Sequence, residues 1–148
     1  MLVTKAAIAA MIPHTGNMCL LDGVRQWDTN SIQCVSQTHH DESNPMRIDG
    51  QLPALCGIEY AAQAMAVHGG LTGMVGGKPK AGYLAGLRDV ICHVNRLDDL
   101  EGELVVDAEQ VMGDASLAIY QFSLRVGTTE VLQGRATVVL DISSGEVK

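Results

Sequence analysis

Two places in this chain carry the residue types of acid–base chemistry. One is the run His39, His40, Asp41 and Glu42, two imidazoles followed at once by two carboxylates. The other is Glu59, which stands with Gln63 one turn later in PALCGIEYAAQAMAVHGG, a segment where His68 is nearly the only further polar side chain. A neutral imidazole, titrating near pH 6.5, can take or return a proton under ordinary conditions. A carboxyl in an apolar helix needs a chemical task or a dedicated partner, because burial opposes its charge; Cys56, Ala62 and Ala66 on its face favour the protonated form. Gln63 is spaced to hydrogen-bond that carboxyl or a neighbouring loop. The His39–Glu42 run has metal-ligating types, but adjacent residues point apart and no second cluster has ligand spacing, so no metal is expected. Cys56 has no histidine at a spacing that marks an activator and reads as a small buried hydrophobe.

These groups need a core to hold them, and 148 residues suffice for one domain spanning 1–148. Hydrophobic residues make up 47% and charged ones 18%, a balance that excludes disorder. Ten basic residues against seventeen acidic give a net charge of −7, with no basic run, so a nucleic-acid partner is not expected. Glu59, Gln63 and His68 interrupt the longest apolar stretch, which excludes a membrane-spanning helix. Cys19, Cys34, Cys56 and Cys92 are too dispersed for a zinc knuckle or a CxxC pair; they suit the reduced thiols of a cytoplasmic protein.

The pattern predicts a short helix over 4–11, then a strand pair, LLDGVRQW and SIQCVSQTH, joined at Asp28–Asn30. A loop follows from Asp41 to Gln51. The long helix starts at Pro53 and should stop at Gly69 and Gly70, with a glycine-rich connection over 71–80. Being apolar on nearly every side, it must be enclosed on nearly every side. Strands are predicted over 82–92, 103–112, 115–126 and 129–142, linked by short glycine-bearing turns without intervening helices. This is an α+β pattern: a curved antiparallel sheet wrapped around one long central helix, with an exposed edge that a second copy would cover.

Three stretches carry a family likeness: IPHTGNMCLLDGV at 12–24, LPALCGIEYAAQAMAVHGG at 52–70 and GYLAGLRDVICHVNRLDDLEGEL at 82–104. With them the chain resembles, over nearly its whole length, the hotdog-fold beta-hydroxyacyl-acyl-carrier-protein dehydratases. It is most similar to a divergent 3-hydroxyacyl-carrier dehydratase subgroup of aryl polyene and fatty-acid-like synthesis. The resemblance implies a hotdog fold, no cofactor, and reversible dehydration of a 3-hydroxyacyl thioester held on an acyl carrier protein. It also implies a homodimer or higher even oligomer, or pairing with a homologous dehydratase subunit. The family's catalytic pair is a loop histidine and a helix carboxylate from opposite subunits.

Glu59 falls on the carboxylate position. The family's histidine position, fourteen residues earlier, is Pro45 here, so His40 and His39 become the catalytic candidates. Backbone N–H groups at Ala54 and Leu55 would stabilise charge on the thioester oxygen, with Gln63 and His14 positioning substrate. Arg47, Arg88 and Arg96 would give an acidic carrier a basic mouth, while Lys78 and Lys80 serve solubility. Two alternatives stay open: an acyl thioesterase in which Glu59 activates water, and a non-catalytic partner subunit of an active hotdog dehydratase.

Overall fold

The computed structural model of the protein describes residues 2–12, 18–75, 81–114 and 116–141. Strand β1 (Val3–Thr4), helix α1 (Lys5–Met11) and strands β2 (Gly23–Trp27) and β3 (Ser31–Ser36) precede the long helix α2 (Gly57–Val75). Strands β4 (Ala81–Cys92), β5 (Leu104–Gly113), β6 (Leu117–Val126) and β7 (Thr129–Asp141) follow it. All pairings are antiparallel, and the seven strands run in the order β1-β2-β3-β5-β6-β7-β4. The chain therefore leaves α2, lays β4 at the far edge, and returns to pair β5 with β3. This is the α+β architecture expected from the pattern, and the hotdog fold that the family resemblance implies.

Period-two alternation decides which face is inside. In β6, Ala118, Tyr120, Phe122, Leu124 and Val126 are buried; in β7, Leu132, Ala136 and Val138 join them. Against this face α2 packs Tyr60, Ala61, Ala64 and Val67, all at 0% exposure, its alanines letting helix and sheet approach closely. The approach is tightest at Gly57, where an added Cβ would lie 2.6 Å from Leu132 Cδ2 and 3.0 Å from Leu124 Cδ2.

Several boundaries differ from the sequence reading. The glycine pair at 69–70 does not end α2, which runs on to Val75. Gly70 instead admits α1: a Cβ there would meet Met11 Sδ at 3.4 Å, and Leu71 is buried beyond it. Packing thus outweighs the propensity of two glycines. Pro53 introduces a 3-10 turn, Ala54–Cys56, before α2 begins at Gly57. Strand β3 ends at Ser36, and Thr38–His40 form a second 3-10 turn. The rest of the glycine-rich connection, 76–80, and the strand ends at 115 and 142 lie outside the described residues.

His68 lies inside α2. The ring is buried, its Nε2 donating to Asp28 O at 2.9 Å and its Nδ1 accepting the Tyr120 hydroxyl at 2.6 Å. Burial lowers its pKa, the Asp28 carbonyl opposing in part. The ring thereby pins the distal half of α2 to the β2–β3 turn and to β6.

Candidate active site

Glu59 lies in the first turn of α2, half-buried. Four residues on, Gln63 is 2% exposed and uses its whole amide. Its Oε1 accepts Leu20 N–H at 2.9 Å, and its Nε2 donates to Met18 O at 2.8 Å and to Glu59 Oε2 at 3.3 Å. The Leu20 N–H requires an acceptor there, so the amide nitrogen must face Met18 and the carboxylate. Oε2 of Glu59 is thus an acceptor. Gln63 orients both the carboxyl and the segment leading to β2. His14, four residues before Met18 in the chain, lies outside the described residues.

The histidine turn is fixed from beneath by a polar network around Tyr60, the residue after Glu59. The buried Tyr60 hydroxyl meets Thr38 Oγ1 at 2.8 Å and accepts Asn44 Nδ2 at 3.2 Å. Thr38 Oγ1 and Ser36 Oγ both donate to Leu20 O, at 2.7 and 2.6 Å. Leu20 is therefore gripped through its N–H by Gln63 and through its carbonyl by Ser36 at the end of β3 and Thr38 in the turn that follows. Sequence reasoning missed Thr38, Asn44 and Tyr60; the one available signal was a phenol inside an apolar helix, which demands a partner when buried.

The adjacent histidines have opposite environments. His39 is fully buried, and neither ring nitrogen has a hydrogen-bond partner. Burial first, and the neighbouring His40 ring second, lower its pKa to about 4. The carbonyls of Leu100 and Gly102 lie close enough to favour a charged ring, but neither meets hydrogen-bond geometry with it. His40 is exposed, stacks on His39 with ring centroids 3.9 Å apart, and donates from Nε2 to Leu100 O at 2.5 Å. In a neutral ring that tautomer leaves Nδ1 of His40 with a lone pair. No hydrogen bond joins either ring to Glu59 among the described contacts; the link runs through Thr38 and Tyr60.

At the entrance to α2, Leu97 N donates to Leu52 O at 2.8 Å and Leu52 N to Asp98 Oδ1 at 2.8 Å. Asp98 also pairs with Arg96, which holds its carboxyl well below the ordinary range. Ala54 N–H is committed to Asn95 O at 3.0 Å, which corrects its assignment as an oxyanion donor. Leu55, exposed beside it, keeps a backbone N–H outside these pairings. Burial raises the pKa of the Cys56 thiol, the wrong direction for a nucleophile.

Two of the three proposed carrier-binding arginines are engaged internally. Arg47 donates to the carbonyls of Asp41, Gly50 and His39, at 3.0, 2.7 and 3.2 Å, and so shapes the loop. Arg96 is held by Asp98 and Asp99. Arg88 is exposed on β4, and Lys78 and Lys80 lie outside the described residues. Among the described residues no three His, Cys, Asp or Glu gather as metal ligands, and no helix is long and apolar enough to cross a membrane.

One long helix laid on a seven-stranded antiparallel sheet, with a carboxyl held by a glutamine at the helix start, defines a hotdog-fold protein. The fold is shared with the dehydratase heterocomplex ApeI:P from Xenorhabdus doucetiae (TM-score 0.81, 24% identity, 93% of this chain and 92% of that chain). It is shared more distantly with zebrafish thioesterase superfamily member 2 (TM-score 0.65, 15% identity, 93% and 95%). The thioesterase HI1161 from Haemophilus influenzae matches at a TM-score of 0.60 and 13% identity, over 93% and 90%. No curated protein matches the chain. The family model of the ApeP-like proteins, described as ApeP dehydratase, matches residues 6–144, and the chain belongs to that family.

Proposed function

We propose that the protein catalyses reversible dehydration of a 3-hydroxyacyl thioester carried on an acyl carrier protein, with Glu59 as general acid and His40 as general base. The observation that carries this reading is the Gln63 amide donating to Glu59 Oε2, which fixes the carboxyl at the start of α2. In the forward direction Nδ1 of His40 takes the C2 proton, the Glu59 carboxyl protonates the C3 hydroxyl, the C3–O bond breaks, and water leaves as the C2=C3 bond forms. Leu55 N–H is the oxyanion donor for the thioester carbonyl, and His14 joins Gln63 in positioning substrate. His39, enclosed by its neighbours, supports the turn that presents His40. The pair is completed across a seam at β4, the open edge of the sheet, where Tyr83, Leu84, Leu87 and Ile91 expose apolar surface for a second copy or a homologous dehydratase subunit.

Glu59→Gln should keep the fold and lower turnover by about 100-fold or more, His40→Ala by a comparable factor, and His39→Leu by little, with enoyl product and free thiol followed together. Large losses from His39→Leu but not His40→Ala would reverse the assignment of the base. Release of thiol without enoyl product would replace dehydration by thioester hydrolysis.

A second reading, a non-catalytic subunit that supports an active homologue, is favoured by Pro45 at the family's histidine position and by the enclosure of His39. Activity of the chain by itself eliminates it; silence relieved only by adding the homologue establishes it.

A further inference from the structure

The sequence contains six arginines, and four of them have clear partners. Arg25 pairs with Glu103, Arg125 with Asp107 at 2.6 Å, Arg96 with Asp98 and Asp99, and Arg47 with three carbonyls. Arg88 and Arg135 form neither an ion pair nor a hydrogen bond with any described residue. These two are direct register partners on β4 and β7. Directly opposed residues leave the sheet on the same face, and like charges so placed weaken the pairing unless an anion bridges them.

That face is the outer one. Ala136, next to Arg135 in β7, points into the core, while Arg135 lines a groove of about 670 Å³ across the back of the sheet with Gln121 and Gln133. Acid is not scarce in a chain of charge −7, and Asp89, Glu109 and Glu130 line the same groove, yet none lies within 4 Å of either guanidinium as an ion pair. The pair is held open.

We propose that Arg88 and Arg135 are the docking contact for the acidic face of the protein that carries the acyl thioester, an inference that rests on the thioester reading above. Exposed guanidinium groups gain little from a lone small anion in water, but two set side by side can each hold a carboxylate of a protein surface with two parallel hydrogen bonds. In a protein negative overall, such a pair marks where an acidic partner can approach and steers it there. Asp89 on β4, Glu130 on β7 and Glu109 on β5 repel such a partner, so its negative groups must meet the two guanidinium groups themselves. The carboxylates in the groove thus fix its register.

The test is an Arg88→Gln, Arg135→Gln double variant, compared with the unaltered protein in two measurements. Titration calorimetry with acyl carrier protein lacking any acyl group reads docking without turnover; binding should weaken roughly tenfold at low salt, and the difference should shrink as salt rises. Turnover is measured on one 3-hydroxyacyl group carried either by the carrier protein or by N-acetylcysteamine, a small uncharged thiol. KM should rise roughly tenfold for the carried substrate alone, with kcat unchanged. Unchanged carrier binding, or an equal loss on both thioesters, overturns the docking role. Should the unaltered protein turn over neither thioester yet bind the carrier through these arginines, the docking role stands and the dehydratase reading falls.

Discussion

Replacing His39 by leucine removes a titrating ring whose nitrogens have no partner and fills the site with an apolar side chain of similar size. In the folded protein the ring binds a proton only near pH 4, against about 6.5 in the unfolded chain. Between those values the unfolded state holds more protons, so stability is complete above pH 6.5 and falls as the pH drops toward 4. For this pair of pKa values the loss is about 2 kcal/mol by pH 5 and about 3 kcal/mol below pH 4. Urea unfolding at pH 8 and pH 5 should therefore show a midpoint about 1 M lower at the acid value for the unaltered protein. His68, also lowered by burial, adds to that slope in the same direction, but it is present in both proteins. The His39→Leu variant should lose the His39 share of about 2 kcal/mol and be no less stable at pH 8, because a buried polar group without a partner contributes nothing that leucine lacks. Equal pH dependence in the two proteins would refute the enclosure of this ring, and so would a large loss at pH 8.

Tyr120→Phe strips His68 Nδ1 of its hydroxyl donor and should reduce stability by about 1–3 kcal/mol, whereas adding His68→Leu to it should recover part of the loss; urea midpoints of the two variants decide. Gly57→Ala forces a Cβ against the fully buried Leu132 and should destabilise by about 1–3 kcal/mol, despite alanine's better helix propensity, as measured by thermal unfolding. Because Gly57 stands two residues before Glu59, the same variant should also lower turnover on the thioester.

The sheet and the central helix were legible because one-sided burial leaves a period in the sequence. Alternation in β6 and the almost unbroken apolar run of α2 report which surfaces meet, whatever the long-range contacts. Glu59 and Gln63 were legible for a related reason, being polar where their helix is otherwise apolar. The end of α2 was not, because the glycine pair reads as a stop until Met11, some sixty residues earlier, is laid against Gly70. What stayed hidden throughout is pairing. Nothing in the letters of His39 and His40 tells which ring turns inward; that is decided by the backbone at Leu100 and Gly102, sixty residues on.

The arginines carry the same lesson in reverse. Arg47, Arg88 and Arg96 are equivalent cations in sequence, and Arg135 drew no notice, since its neighbours Gly134 and Ala136 mark only an ordinary strand. Folding spends Arg47 on three carbonyls and Arg96 on two carboxylates, and brings Arg135 beside Arg88 from a strand more than forty residues away. A charge that folding has already satisfied stabilises the loop it holds and has little left for a partner, whereas a pair that folding sets together and leaves unsatisfied keeps its attraction for one. The surface that recognises another protein is therefore identified less by where cations lie in the chain than by which of them the fold declines to neutralise.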